Sequence, residues 1–230
     1  MIILITGSRK GIGRYLAEYY LDKGNVVIGC SRTESDLSHE QYHHYITDIS
    51  DEKSVRAFSE KIRLDFGYID TLINNAGIAS MNHFLLTPTD TARKVMDINY
   101  FGVLMMCREF SRIMRKSKTP RIINFSTVAC ALKLEGEAIY ASSKAAVEML
   151  TKVISKELAP YAITVNAVGP SPVKTDLIKN VQADKLDYLI NQQAIKRHCE
   201  FSDISNVIDF FISPASDFIT GQIIYLGGVS

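Results

Sequence analysis

Apolar residues along the chain fall into two alternating rhythms. Short runs rich in β-branched residues recur between longer stretches in which apolar residues return every three or four positions. The short runs, Ile2 to Thr6, Val26 to Cys30, His44 to Thr47, Thr71 to Asn74, Arg121 to Phe125, Ile163 to Ala167 and Ile223 to Leu226, predict seven strands. The longer stretches predict amphipathic helices. One presents Ile12, Leu16, Tyr19 and Tyr20, a second Val55, Phe58, Ile62 and Phe66, and a third Ala145, Met149, Val153 and Leu158. Strand and helix alternating from end to end imply βαβ units on a parallel sheet covered on both faces. No repeat, low-complexity tract or Gly/Ser-rich linker interrupts the rhythm, so residues 1–230 read as one doubly wound α/β domain. The one long irregular piece, at about 175–197, falls between the sixth strand and the last helix. In such a fold it covers the carboxyl ends of the strands, where ligands bind.

Composition narrows the classes of function. With 47% apolar and 22% charged residues, the chain lies far from the range in which chains stay disordered. Lys and Arg number 26 against 25 Asp and Glu, a net charge of +1, so no overall field draws it to nucleic acid or an anionic membrane. The longest strongly apolar stretch, Val103 to Cys107, is far short of the roughly 18 residues a membrane span needs. The N-terminal Met1-Ile2-Ile3-Leu4-Ile5-Thr6-Gly7 lacks a basic n-region and a cleavage site, and a cytoplasmic protein is expected. Cys30, Cys107, Cys130 and Cys199 are scattered and suggest reduced core residues rather than disulfides or a thiolate metal site. His39-Glu40-Gln41-Tyr42-His43 matches H-E-x-x-H on paper, but it lies between two strands with no room for the helix that would align its imidazoles. No metal is expected.

Directly after the first strand stands Thr6-Gly7-Ser8-Arg9-Lys10-Gly11-Ile12-Gly13. Glycines there let the backbone approach a pyrophosphate closely, and the helix that follows offers unpaired N–H groups and partial positive charge. Asn74-Asn75-Ala76-Gly77 follows the fourth strand, and Tyr140-Ala141-Ser142-Ser143-Lys144 opens the longest amphipathic helix. In this order and at these separations, T-G-x-x-x-G-I-G, N-N-A-G and Y-x-x-x-K closely resemble the short-chain dehydrogenase/reductase family in its compact single-domain form. The resemblance spans essentially the whole chain. Further landmarks are Asp48 after the third strand, Asn99, the stretch Asn166 to Pro170, and Thr220-Gly221-Gln222. It implies a Rossmann-type fold and a nicotinamide dinucleotide held by Gly7, Ser8, Arg9, Lys10, Gly11, Ile12, Gly13, Ser31, Arg32, Asp48, Ile49, Asn75, Ala76, Gly77, Tyr140, Lys144, Pro170, Val173 and Thr175.

Tyr140 and Lys144 are four apart and share one helix face. Lowering a tyrosine pKa from about 10 to near 7 takes roughly 4 kcal/mol of preferential phenolate stabilisation, which an ammonium and a cationic nicotinamide can supply. The resemblance implies that Tyr140 protonates a substrate carbonyl while hydride arrives from the nicotinamide. It further implies that Lys144 bonds the nicotinamide ribose and that Asn99 holds a water linking Lys144 to solvent. Thirteen positions before Tyr140, where the family carries a substrate-orienting serine, stands Thr127. Its hydroxyl can do the same work with a narrower pocket and a stiffer χ1. Ser126 is the rival, and because neighbours at a strand end point to opposite sides, Thr127 is preferred. Ser171 replaces the family's usual glycine, and Leu226 precedes Gly227-Gly228 where an Asp often stands.

At the end of the second strand an acidic residue would select NAD by binding the ribose 2′-OH. Here the chain reads Cys30-Ser31-Arg32, and Arg32 and Lys10 are placed to face a 2′-phosphate, which points to NADPH. The expected activity is NADPH-dependent reduction of a ketone or 3-oxoacyl thioester. The basic run Arg112, Arg115, Lys116, Lys118 and Arg121, together with Lys179, fits an acyl-carrier-protein partner as well as it fits ordinary helix-end cations. A sugar or nucleotide-sugar substrate, or a non-catalytic dinucleotide-binding role, are the alternatives. The resemblance also implies a homotetramer, or a homodimer, joined by the helices flanking the fifth strand and by the last strand, with Leu104, Met105 and Met149 as apolar contacts.

Overall fold

The computed structural model describes residues 1–179, 181 and 183–229. Seven parallel strands form one sheet: β1 (Ile2–Thr6), β2 (Val26–Ser31), β3 (Tyr42–Ile46), β4 (Thr71–Asn74), β5 (Arg121–Phe125), β6 (Thr164–Gly169) and β7 (Ile223–Tyr225), in the order β3-β2-β1-β4-β5-β6-β7. The chain reverses direction of travel across the sheet between β3 and β4, so β1 and β4 are neighbours and a crevice opens at their carboxyl ends. The helices are α1 (Gly11–Asp22), α2 (Glu52–Phe66), α3 (Thr89–Met96), α4 (Gly102–Met114), α5 (Val128–Leu132), α6 (Ala138–Leu158), α7 (Ala183–Asn191) and α8 (Phe201–Ile212).

Period-two side chains explain the two cores. Leu4, Ile28, Leu72, Ile122 and Val165 face one side and pack against Val55, Phe58 and Ile62 of α2, Met106 and Phe110 of α4, and Val147 of α6. Their strand neighbours Ile3, Ile5, Val27, Ile73 and Ile123 face the other side and pack against Leu16 and Tyr20 of α1 and Ile208 and Phe211 of α8. Local signals set the helix ends. Asp51 caps α2 by accepting from the Lys53 N–H at 3.0 Å, and Gly67, at φ +82°, ends it. By contrast α1 begins with no side-chain cap and no acid in its first turn, leaving its N-terminal N–H groups free beside the crevice.

Three expectations are corrected. The buried face of α6 carries Tyr140, Ser143, Lys144, Val147, Thr151 and Ser155, whereas Met149 and Val153 are exposed. Polar residues are buried here because the hydroxyls of Ser143, Thr151 and Ser155 donate back to carbonyls of their own helix at 2.7 to 2.9 Å. The segment at 175–197 is not irregular throughout, since α7 lies within it. β3 begins two residues early and is an edge strand; His39 precedes it and His43 lies in it, so the two imidazoles share no helix face.

Candidate active site

A cavity of about 1210 Å³ runs along the carboxyl ends of the strands, from Ser31 and Arg32 at one end to Tyr140, Thr127 and α7 at the other. It exceeds the few hundred to 1000 Å³ of most small-ligand sites and has room for a dinucleotide and a second molecule together. Gly7 and Gly11 line it in left-handed conformations, φ +70° and +60°, which a Cβ would strain. Gly13 sits behind this wall, where a Cβ would fall 2.3 Å from the Gly7 carbonyl oxygen. Asn75 fastens the turn by donating to the Thr6 carbonyl at 2.9 Å. Gly-lined backbone, an open helix N-terminus and the elongated cavity all fit a dinucleotide.

Most of the sequence-predicted cofactor residues line this cavity: Gly7, Arg9, Lys10, Gly11, Ile12, Ser31, Arg32, Asp48, Ile49, Asn75, Ala76, Gly77, Tyr140, Lys144, Pro170, Val173 and Thr175. Ser8 and Gly13 do not. Ser8 is fully buried and bonds the Tyr42 hydroxyl at 2.9 Å, so its side chain serves the fold rather than the cavity. Lys10 departs from its expected place as well, reaching Asp176 at 3.3 Å at the other side of the cleft. Arg32 remains exposed at the ribose end beside Asp48, whose carboxyl is held below its usual range chiefly by hydrogen bonds from Ser50, against its burial, with the Arg32 charge adding to the fall. The Ser171 hydroxyl, which stands where the family has glycine, is buried at the cavity wall with no partner among the described residues.

At the other end α6 brings Tyr140 and Lys144 to the wall together, both buried. Lys144 Nζ donates to the Phe125 carbonyl at 2.9 Å, and burial pulls its pKa down to about 8. Burial holds the Tyr140 pKa above its ordinary value, helped by the negative field of Glu137, while a side-chain hydrogen bond from Thr127 favours the phenolate. Asn99 is fully buried in a π-helical turn, Asp97–Phe101, a form common at functional sites. Its amide clasps the Ile78 backbone in both directions at 2.9 Å and donates to Ser143 at 3.0 Å. Both of its N–H donors are thus used, and a water link to Lys144 is left with the second lone pair of Oδ1 or the backbone carbonyl. Gly77 keeps the approach open: a Cβ there would lie 3.2 Å from Asn99 Oδ1 and 3.4 Å from Lys144 Nζ.

Ser126 and Thr127 diverge as neighbours at a strand end should. Thr127 Oγ1 accepts from the Ala129 N–H at 3.2 Å and faces Tyr140. Ser126 donates instead to Glu148 Oε1, which also accepts from the Tyr225 hydroxyl at 2.5 Å. Sequence reasoning passed over Glu148, Tyr225 and Glu137. The first two are joined only by the fold, across 77 positions. The third has a signal in its spacing, three residues before Tyr140 at the cap of the helix that carries it.

The sequence model of the family described as short chain dehydrogenase matches residues 1–186. The chain belongs to the short-chain dehydrogenase family. This short-chain dehydrogenase is 32% identical over 235 residues to the 3-oxoacyl-(acyl-carrier-protein) reductase FabG of Haemophilus influenzae, covering 99% of this chain and 96% of the relative. It is 30% identical over 233 residues to FabG of Escherichia coli K12, with the same coverage. Ligand-free aldohexose dehydrogenase of Thermoplasma acidophilum superposes with a TM-score of 0.89 at 28% identity, over 99% of this chain and 92% of the other. A 4-hydroxyisoleucine dehydrogenase complexed with NADH gives 0.88 at 28% identity, over 99% and 97%. This short-chain dehydrogenase is therefore an oxidoreductase of carbonyl groups that uses a nicotinamide dinucleotide.

Proposed function

We propose that the protein is an NADPH-dependent reductase of ketones, 3-oxoacyl thioesters included, with Tyr140 as general acid. The observation that carries this reading is the buried Tyr140–Lys144 pair on one face of α6, opening into the large cavity beside Thr127. When bound, the cofactor supplies hydride to the carbonyl carbon. Tyr140 gives its proton to the carbonyl oxygen, a contribution typically worth 10²- to 10⁴-fold. Thr127 orients that oxygen through its hydroxyl, and its methyl group narrows the pocket. Lys144 uses one N–H on Phe125, keeps two for ribose hydroxyls, and its charge stabilises the phenolate left after proton transfer. Val173 and Thr175 flank the carboxamide position. Arg32, rather than the ion-paired Lys10, is the residue suited to a 2′-phosphate.

The acyl-carrier partner draws support from the FabG relatives, less from the basic run. Arg121 is buried, Arg112 is paired with Glu109, Arg115 lies over the Tyr161 ring at 4.3 Å, and Lys179 is paired with Asp176. A small hydroxylated ketone is the second reading, favoured by the similarity to aldohexose dehydrogenase.

The test is NADPH oxidation at 340 nm across acetoacetyl thioesters, diketones, quinones and sugars. Tyr140→Phe is expected to lose nearly all turnover with cofactor affinity kept within a few-fold, and retention of a tenth of kcat would overturn the assignment. Arg32→Ala is expected to raise KM for NADPH at least tenfold and leave NADH unchanged, since a charge-assisted bond to phosphate contributes roughly 1.5 to 3 kcal/mol. Equal loss with both cofactors would refute NADPH selection.

A further inference from the structure

Glu137 stands at the N-cap of α6, three residues before Tyr140, and lines the same cavity. A carboxylate at that position ordinarily accepts from the free N–H groups of the first helical turn. This one makes no such bond. The residue is buried, with a relative exposure of 9%, and Oε2 has no hydrogen-bond partner among the described residues. No cation moderates it: the carboxyl pKa is pushed up to about 7 by burial, and burial is the one cause. Natural proteins rarely leave a buried carboxyl without a donor, so one that faces a cavity calls for a functional explanation. Gly136 and Leu134 form the lip beside it, and Tyr188 and Leu189 of α7 face the same cavity, so the carboxyl lies on the substrate side and not at the dinucleotide cradle.

We propose that Glu137 reads the substrate, accepting a hydrogen bond from a hydroxyl or ammonium group that the substrate carries within a few bonds of its reacting carbonyl. This rests on the reading of Tyr140 as the proton-transfer residue, because Glu137 caps the helix that carries Tyr140 and the two line one cavity, which sets the donor near the reacting carbonyl. A ligand with a donor at that place satisfies the carboxyl, whereas an alkyl chain laid there would seal it off unpaired. The substrate is then a hydroxy- or amino-ketone, or the matching diol or amino alcohol in the reverse direction.

Three probes of nearly one size separate the possibilities: 1,2-cyclohexanediol, 2-aminocyclohexanol and 2-methoxycyclohexanol, the last without a donor at the second position. Each is titrated by calorimetry into enzyme saturated with NADP⁺ and assayed for oxidation. The wild-type protein is expected to favour the diol, the amino alcohol or both at least tenfold over the methoxy compound. Glu137→Leu is expected to reduce that preference to within twofold. Glu137→Gln, which keeps an acceptor and loses the charge, retains a preference for the diol and loses one for the amino alcohol, so it tells hydroxyl from ammonium recognition. Three probes that bind alike, or all fail to bind, overturn the proposal, as does a Leu variant that still discriminates. Discrimination in binding without any oxidation would refute the proposed reductase and leave Glu137 as a reader; oxidation of all three at one rate would do the reverse.

Discussion

Burial of the Lys144 ammonium sets function against stability at a single residue. Its pKa is about 8 in the fold against 10.5 in the unfolded chain, so between these values the unfolded chain holds a proton that the folded one has released. The contribution of this one group to stability therefore rises with pH across that window, and near neutrality its charge costs up to roughly 3 kcal/mol. Lys144→Met is expected to abolish turnover and yet melt several degrees higher at pH 7, after about 1 kcal/mol is subtracted for the lost bond to Phe125. The advantage of the Met variant over wild type should shrink towards pH 10, where the folded Lys144 is already neutral; thermal melts of both proteins at pH 7 and 10 check this, and a Met variant that melts lower at pH 7 would refute it. The neighbouring hydroxyls give a second test. Thr127→Ser should keep or raise kcat/KM and Thr127→Val should drop it at least tenfold, because Val keeps the shape and removes the hydroxyl that would orient the carbonyl oxygen. Ser126→Ala should cost less activity than Thr127→Val, since Ser126 is turned to Glu148.

At the scale of elements, strand positions were readable because a doubly covered sheet leaves apolar runs between turn residues, and β1, β4 and β5 fall where the runs predict. The face of α6 was not. Periodicity counts apolar side chains, and this helix buries Ser143, Lys144, Thr151 and Ser155, a choice made by the site and by Asn124, which donates to Thr151 at 2.8 Å. The same blindness hid Glu148 and Tyr225, whose meeting depends on β7 pairing with β6. Motif spacing located the cradle and the Tyr140–Lys144 pair, because both are local: a turn entering a helix, and one helical turn. It did not reveal that the side chains of Ser8 and Lys10 turn to Tyr42 and Asp176, 34 and 166 positions away. Beyond α7 the chain is fastened to the segment after β7, the Ile195 N–H donating to the Gly227 carbonyl at 3.1 Å.

At the scale of the whole molecule, several large apolar side chains are exposed. Phe101, Met149, Val153 and Phe218 are exposed, on the π-helical turn leading into α4, on α6 and near β7, whereas Met105, expected at an interface, is buried in the protomer's own core. We propose that these side chains contribute to the subunit contacts of a homotetramer. Light scattering is expected to give four times the protomer mass, and Met149→Glu together with Val153→Glu to give a smaller species with its far-ultraviolet spectrum intact; a wild-type monomer would refute the assembly. No helix among the described residues is long and apolar enough to cross a membrane.

Glu148 joins residues that leave the ribosome at very different times. Its carboxylate accepts from Ser126 after β5 and from Tyr225 in β7, so the floor beneath Thr127 is settled only when β7 has docked. The dinucleotide cradle is no more independent of the C-terminal part, since its helix α1 is held by Tyr19 and Tyr20 donating to Asp209 of α8 at 2.7 and 3.0 Å. Both ends of the cleft thus depend on segments past residue 200, and a chain cut there lacks the partners of each.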